Sequence, residues 1–219
     1  MSVFERRSTM RSRAGWIPRA AFLLLTALLG TTIGLGVVHA EAQHVRWDIV
    51  HLDFTTVPPT VSEGGEAYAY ARNAPTPATF LKIKLTGSGT FVSPGSGGTS
   101  GAVTGGGTWQ TFNSAGVPTG SGTYWVTRLA NWQFANYQTP GSLNDNIGDQ
   151  SRAANGNAVL LIQYSDGSSG ILGIGCHGPG APNGIVEGVI ATKDYVTYWD
   201  AEAPVAGVDK DRTIFHVEK

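Results

Sequence analysis

The sequence predicts an all-β protein, an antiparallel barrel of about eight strands, and three observations support this prediction. After residue 40, apolar residues alternate with polar ones in short runs, as in strands that bury one face. Gly, Asn, Asp and Pro separate these runs and favour tight turns between them. A motif of glycine and threonine recurs three times at a spacing close to one strand and its turn. A two-sheet β-sandwich is the alternative architecture.

The first 40 residues have the composition of an export signal. Residues 1–19 contain five arginines and one acidic residue, and an apolar run from Ala20 to Val38 follows. Small residues then surround Ala40, which completes the order typical of a secretory signal-peptide helix. A retained transmembrane anchor is the alternative, because a run of 19 residues nearly spans a bilayer. We expect residues 41–219 to form a single secreted or periplasmic domain, which has no membrane span once the signal peptide is cleaved. Both the Sec and the twin-arginine export routes fit the arginine-rich start.

Eight segments of the exported region have the composition of strands. They are residues 45–54, 80–85, 108–112, 123–130, 158–164, 171–177, 188–199 and 213–217. The segment 80–85 is the clearest, because Leu81, Ile83 and Leu85 share one face and two lysines share the other. Glycine-containing turns at residues 113–120 and 166–170 favour hairpins between their neighbours.

The repeated motif is Thr-Gly-x-Gly-Thr-aromatic, at residues 86–91, 104–109 and 119–124. We expect its glycines to lie at matching heights on neighbouring strands, where they permit a bend or bulge that an aromatic ring covers. Residues 94–103 are instead expected to be a flexible loop. Residues 135–156 lack an apolar period and are predicted to form a lid or binding loop. Residues 57–77 are irregular, with a short helix or strand at 66–72.

Charge and cysteine content exclude several classes of protein. Charged residues make up 14% of the chain, and the formal net charge of −1 offers no basic excess for binding nucleic acid. One cysteine excludes a disulfide framework and a multi-cysteine metal site. The histidines lack metal-ligand spacing. A Gly-x-Gly-x-x-Gly match at 173–178 precedes prolines rather than a helix, so no nucleotide cofactor is expected.

A histidine and an aspartate two residues apart are the candidate catalytic pair. His51 and Asp53 share a strand face with Trp47, so the carboxylate is placed to orient the imidazole as a general base. Polar groups on a face that lines a barrel would mark a small-ligand site, whereas an exposed pair is the alternative. The predicted ligand-binding set comprises His51, Asp53, Trp109, Trp125, Arg128 and His177.

Several of these segments carry a resemblance. Residues 85–91, 106–109 and 175–177, together with the C-terminal third, resemble a group of uncharacterised exported bacterial Gly-rich β-proteins. The strand starts and the strand count are similar, at the level of fold alone, to the dirigent and allene oxide cyclase barrels. Neither resemblance implies a catalytic residue in this chain.

Three functions are consistent with these patterns. The first is a module that binds a small apolar or amphipathic ligand in the barrel mouth. The second is a cofactor-independent isomerase or lyase that uses His51 and Asp53 as its base. The third is a structural or surface-interaction protein without a pocket. The identity of the ligand and the oligomeric state stay open at this stage.

Overall fold

A computed structural model describes residues 41–71 and 80–218, which form an all-β fold of fourteen strands. The strands are β1 (Gln43–Asp53), β2 (Thr60–Glu63), β3 (Ala67–Ala71), β4 (Leu81–Leu85), β5 (Ser88–Ser93), β6 (Val103–Phe112), β7 (Pro118–Tyr137), β8 (Asn144–Asp145), β9 (Ala153–Tyr164), β10 (Ser169–Cys176), β11 (Gly188–Lys193), β12 (Val196–Tyr198), β13 (Asp200–Ala201) and β14 (Thr213–Glu218). A short 3₁₀ helix, Gln150–Arg152, precedes β9. The predicted signal-peptide helix lies outside the described residues.

Six of the strands close into an antiparallel barrel. β1 pairs with β14 and β5, β5 with β6, β6 with β7, β7 with β9, and β9 with β14. This closure confirms a barrel rather than a sandwich, although the barrel has six strands instead of eight. The other eight strands lie outside the closed ring.

The predicted strand count was wrong because long strands change neighbours along their length. β6 pairs with β5 through residues 103–106 and with β4 through residues 109–112. β9 pairs with β14 at Ala153 and Ala154, and then with β10. Two branches, β4–β3–β13 and β10–β11–β12, therefore extend from the barrel. The 20-residue β7 lies between β6 and β9, the two strands from which these branches extend, and three register shifts against β9 bend it.

The glycine motif forms the close contact between β5, β6 and β7. Gly89 of β5 lies directly opposite Gly105 of β6. The ring of Trp109 covers Gly120 and Gly122, with ring atoms 3.2 and 3.0 Å from where their Cβ atoms would lie. The aromatic residue of each motif copy is buried. The prediction of glycines at matching heights is thus confirmed for the first two copies, whereas Gly122 and Gly120 of the third lie opposite Trp109 and Thr111, and the predicted aromatic cover is present.

Side chains fill the centre of the barrel. The Trp132 ring packs edge to face between Phe91 and Phe215, with centroid distances of 5.4 and 4.7 Å. Trp47 of β1 is fully buried in the same cluster. Because edge-to-face aromatic packing of this kind is dense, the centre of the barrel is occupied by the protein itself.

The structure changes the prediction for two segments and selects between the alternatives for a third. Within residues 94–103, Ser100 and Leu129 exchange backbone hydrogen bonds of 3.0 and 2.8 Å, so this segment is tied to β7 rather than free. The region 66–72 contains a strand, β3. The single strand predicted at 188–199 is two strands, with Asp194 and Tyr195 in a positive-φ turn between them.

A second layer covers the outer face of β1 and β14. β2 pairs with residues 50–53 of β1, and β8 runs parallel to β2. His216 Nε2 lies 2.7 Å from the Asp145 carboxylate, and the two side chains are 3% and 2% exposed. This contact fastens the segment between β7 and β9 onto β14. No helix in the described part of the chain is long and apolar enough to span a bilayer.

Candidate functional site

A pocket of about 500 Å³ opens on the outer face of β1 and β14. We call it the outer pocket. Its apolar lining is Val50, Leu52, Phe54, Val61, Leu143 and Ile214, its polar lining is Gln138, His177, Glu187, Arg212 and Thr213, and residues 178–181 form one wall. A concave apolar site of this volume with a few polar groups is typical of small-molecule binding.

The floor exists because β1 is apolar on both faces near its middle. Trp47 and Ile49 face the barrel core, whereas Val50 and Leu52 belong to a second buried cluster on the opposite face. The apolar residues of β1 therefore move from odd to even positions after Ile49, and so to the opposite face of the strand. At this point β2 replaces β5 as the neighbour of β1. This change of parity is visible in the sequence and is a signal for the outer pocket.

The wall of the pocket is the loop after β10, and side-chain amides hold it in place. Gly178 N donates to Asn155 Oδ1 at 2.8 Å, and Asn136 Nδ2 donates to Gly180 O at 2.7 Å. The backbone of Thr139 adds a 2.9 Å bond to Pro179 O. These bonds fix the loop against the end of β7, so the pocket is largely preformed.

Glu187 is the carboxyl group of the outer pocket. It accepts hydrogen bonds from Thr213 N at 2.7 Å, from Thr213 Oγ1 at 3.2 Å and from His177 N. Burial nevertheless raises the pKa of Glu187 to about 7, against the opposing effects of these donors and of the Arg212 charge. A carboxyl group that titrates near neutral pH in a pocket is suited to sense pH or transfer protons.

Gln138 presents a buried acceptor without a partner. Its side chain is 6% exposed, and Nε2 donates to Cys176 Sγ at 3.3 Å. The Cys176 thiol donates in turn to Thr213 O at 3.3 Å, which leaves the sulfur to accept and fixes the orientation of the amide. Gln138 Oε1 then has no hydrogen-bond partner among the described residues. An unpaired buried acceptor costs about 1–3 kcal/mol, and a ligand donor would remove that cost.

Arg212 supplies a cation that no carboxylate in the described part of the chain contacts. Nη2 donates to Val205 O at 3.3 Å, while Nε is buried without a partner in the described part of the chain. No ion pair joins Arg212 to any described Asp or Glu. The pocket therefore holds an unpaired donor, an unpaired acceptor and a positive charge.

His177 is the predicted ligand-binding residue that lines the outer pocket. It is exposed, and its Nδ1 lies 2.8 Å from Ile185 O. Because a carbonyl oxygen only accepts, Nδ1 carries the hydrogen and Nε2 is the ring acceptor of the neutral side chain.

The predicted pairing of His51 with Asp53 is not formed. His51 Nδ1 contacts the Asp209 carboxylate, and about half of its side chain is exposed. Asp53 accepts from Thr55 N at 2.8 Å and from Thr55 Oγ1 at 2.6 Å. The reason is that β1 leaves the barrel after Ile49, so these residues lie beyond the barrel interior. Asp209 is the carboxylate that orients His51.

The remaining predicted residues lie on different faces of the sheet. Trp109 is buried in the core, with its ring 5.7 Å from that of Tyr164 and 4.2 Å from Lys193 Nζ. Trp125 and Arg128 are exposed on β7. The structure therefore does not assemble the predicted set into one site.

Sequence reasoning missed Glu187 and Arg212, because neither lies in a recognisable motif. Gln138 and Leu143 lie in the segment 135–156, which was predicted to be a lid or binding loop, although β7 extends to Tyr137 and β9 begins at Ala153. Among the described residues, no cluster of three or more His, Cys, Asp or Glu is placed to hold a metal ion. No protein-family model, curated protein or solved structure matches the chain. The geometry of the outer pocket is therefore the basis for assigning a function.

Proposed function

We propose that this protein is an exported module that binds a small amphipathic ligand in the outer pocket, outside the barrel mouth where the sequence had placed it. The observation that supports this proposal best is the buried Gln138 Oε1, an acceptor without a partner at the polar end of an apolar pocket. Buried polar groups are ordinarily hydrogen-bonded, and a ligand that donates to this acceptor would supply the missing bond.

The lining divides the pocket into two chemical regions. Val50 and Ile214 are buried in the floor, whereas Phe54 and Leu143 line the pocket with partly exposed side chains against which an apolar chain can pack. Burial of apolar surface contributes about 25 cal/mol per Å², so these partly exposed side chains supply affinity. Gln138, Glu187 and Arg212 supply the polar contacts that orient the ligand.

A second candidate is a cofactor-independent isomerase or lyase, now with Glu187 as its base instead of His51. The pKa of Glu187, raised to about 7 by burial, favours this function. Both oxygens of Glu187 already accept hydrogen bonds, however, which reduces their availability to a substrate. We therefore favour binding over catalysis.

Filling the pocket with a large side chain tests the binding proposal. Ala181 lines the outer pocket, so Ala181→Trp places an indole in the space that the ligand would occupy. We expect the affinity for the neutral fluorescent probe N-phenyl-1-naphthylamine to fall at least about tenfold, as measured by fluorescence titration of the full-length protein.

The matched control is Ala115→Trp in the exposed turn between β6 and β7, which should bind the probe like wild type. Equal probe affinity in the two variants, or no probe binding to the wild-type protein, would contradict the proposal.

A further inference from the structure

We propose that the ligand of the outer pocket is an amphipathic hydroxycarboxylate, whose carboxylate pairs with Arg212 and whose hydroxyl donates to Gln138. This inference rests on the proposed function and specifies the chemistry of the polar head. It predicts that the ionisation state of Glu187 controls the affinity for the anion.

The charge of the head follows from Arg212. Arg212 lines the pocket and is partly exposed, its Nε–H is buried without an acceptor among the described residues, and no described carboxylate forms an ion pair with it. A buried N–H without an acceptor is unfavourable, and a charge-assisted hydrogen bond to a carboxylate offsets that cost. A cationic head would add a second positive charge beside Arg212, so the pocket favours an anion.

The hydroxyl follows from Gln138. The amide is fixed by its Nε2 hydrogen bond to Cys176, which leaves Oε1, an atom that only accepts, buried and without a partner among the described residues in a side chain that lines the pocket. A carboxylate alone offers no hydrogen to this oxygen. A hydroxyl on the same ligand donates to Gln138, so a hydroxycarboxylate provides a partner for both unpaired groups.

The pH dependence follows from the position of Glu187. His177 N, Thr213 N and Thr213 Oγ1 hold its oxygens, and Arg212 interacts with it through charge alone. Protonated Glu187 leaves the pocket with the positive charge of Arg212, whereas ionised Glu187 repels an anion. Because burial raises the pKa of Glu187 to about 7, anion affinity should fall as the pH rises through neutrality.

Two other titratable groups face Glu187. Burial raises the pKa of the Cys176 thiol well above its usual value, so this group stays neutral over the relevant range. His177 also lines the pocket and places a second ionisable side chain near a bound anion. The experiment therefore needs a separate variant of His177.

The test is a calorimetric titration of the full-length protein with octanoate, 3-hydroxyoctanoate, octanol and octylamine at pH 6 and pH 8. At pH 6 we expect octanoate to bind about tenfold more tightly than octylamine, and 3-hydroxyoctanoate to bind more tightly than octanoate. The preference for the acids over octanol should shrink at pH 8. Affinity ratios are compared within each variant, so a general loss of folded protein cancels.

Each variant removes one part of this pattern. Arg212→Gln should abolish the preference for acids, and Gln138→Leu should abolish the preference for the hydroxyl. Glu187→Gln should flatten the pH dependence, whereas His177→Gln should leave it. Arg128→Gln, at an exposed position on β7, is the matched arginine control and should behave like wild type.

The outcomes distinguish the two proposals. If octanol and octylamine bind as tightly as the acids, the head-group inference is wrong while the proposed function stands. If the acids are preferred equally by wild type and Arg212→Gln, the assignment to Arg212 is wrong. If no compound of the series and no neutral probe binds, the proposed function itself fails.

Discussion

Cys176 links the packing of the core to the polar end of the outer pocket. Its side chain is fully buried, and its sulfur accepts from Gln138 while its thiol donates to Thr213 O. Cys176 lies on the same face of β10 as Leu172 and Ile174, which are also buried. Burial raises the pKa of the thiol, because the thiolate would lose its hydration. This cysteine therefore positions Gln138 and is a poor nucleophile.

We expect the Cys176 thiol to resist modification in the native protein, because reagents attack the exposed thiolate. In a titration with 5,5′-dithiobis(2-nitrobenzoate), the native protein should release colour far more slowly than the unfolded one. The same protein in concentrated guanidinium chloride is the control and should react with one thiol per chain. Equally fast labelling in native buffer would show that the β10 end of the pocket opens readily.

The repeated glycines determine how closely β5, β6 and β7 can approach. A Cβ at Gly107 of β6 would lie 1.9 Å from Thr86 O, a distance that real Cβ atoms do not reach. Backbone cannot move aside as a flexible side chain can, so the strands would have to separate. The close contact of these strands therefore depends on hydrogen in place of a side chain, rather than on glycine flexibility.

We expect Gly107→Ala to lower the free energy of unfolding by at least about 2 kcal/mol, since overpacking displaces the backbone of a neighbouring strand. The urea midpoint, at an unchanged m-value, measures this loss. The matched control is Gly101→Ala, because a Cβ at Gly101 meets nothing within 4 Å. That variant should differ from wild type by no more than about 0.5 kcal/mol. Equal effects of the two substitutions would show that the glycine contact contributes little.

For the whole molecule, burial of carboxyl groups determines how stability depends on pH. Burial raises the pKa of Glu187 to about 7 and that of Asp211 to about 6. At pH values between the ordinary carboxyl pKa and its own raised pKa, each group is protonated in the folded state and ionised in the unfolded state. The free energy of unfolding therefore falls as the pH rises through this range. Asp166 behaves in the opposite way, because its hydrogen bond to Lys193 lowers its pKa to about 2. Ionised Asp166 therefore stabilises the folded state above the ordinary pKa of the group, and this stabilisation is lost as the pH falls towards 2.

We expect the unfolding temperature to be higher near pH 5 than at pH 8, because ionising Glu187 and Asp211 destabilises the folded state. Calorimetric scans across this range measure the difference. Glu187→Gln combined with Asp211→Asn should reduce it, whereas Asp166→Asn should change stability mainly on the acid side of pH 4. A melting temperature that rises steadily from pH 5 to pH 8 would show that the two carboxyl groups ionise freely in the folded state.

The sequence by itself determined the all-β class, most strand positions and the glycine contact covered by aromatic rings. These features depend on local patterns, namely the alternation of apolar residues, the turn residues and the spacing of a short motif. Phe91, Trp109 and Tyr124 are buried where the motif predicted aromatic cover. The shift of apolar residues to the other face of β1 after Ile49 is also visible in the sequence. It indicates a second buried face, but it does not indicate which residues pack over that face.

Only the tertiary structure decided the closure of the barrel and the composition of the pocket. β6 and β9 each exchange one neighbour for another along their length, which no local pattern records. Gln138, Glu187 and Arg212 lie far apart in the chain and come together when three loops pack over β1 and β14. Their unpaired atoms and the raised pKa of Glu187 arise from burial. Burial is a property of the assembled fold, and for that reason the polar end of the pocket could not be read from the sequence.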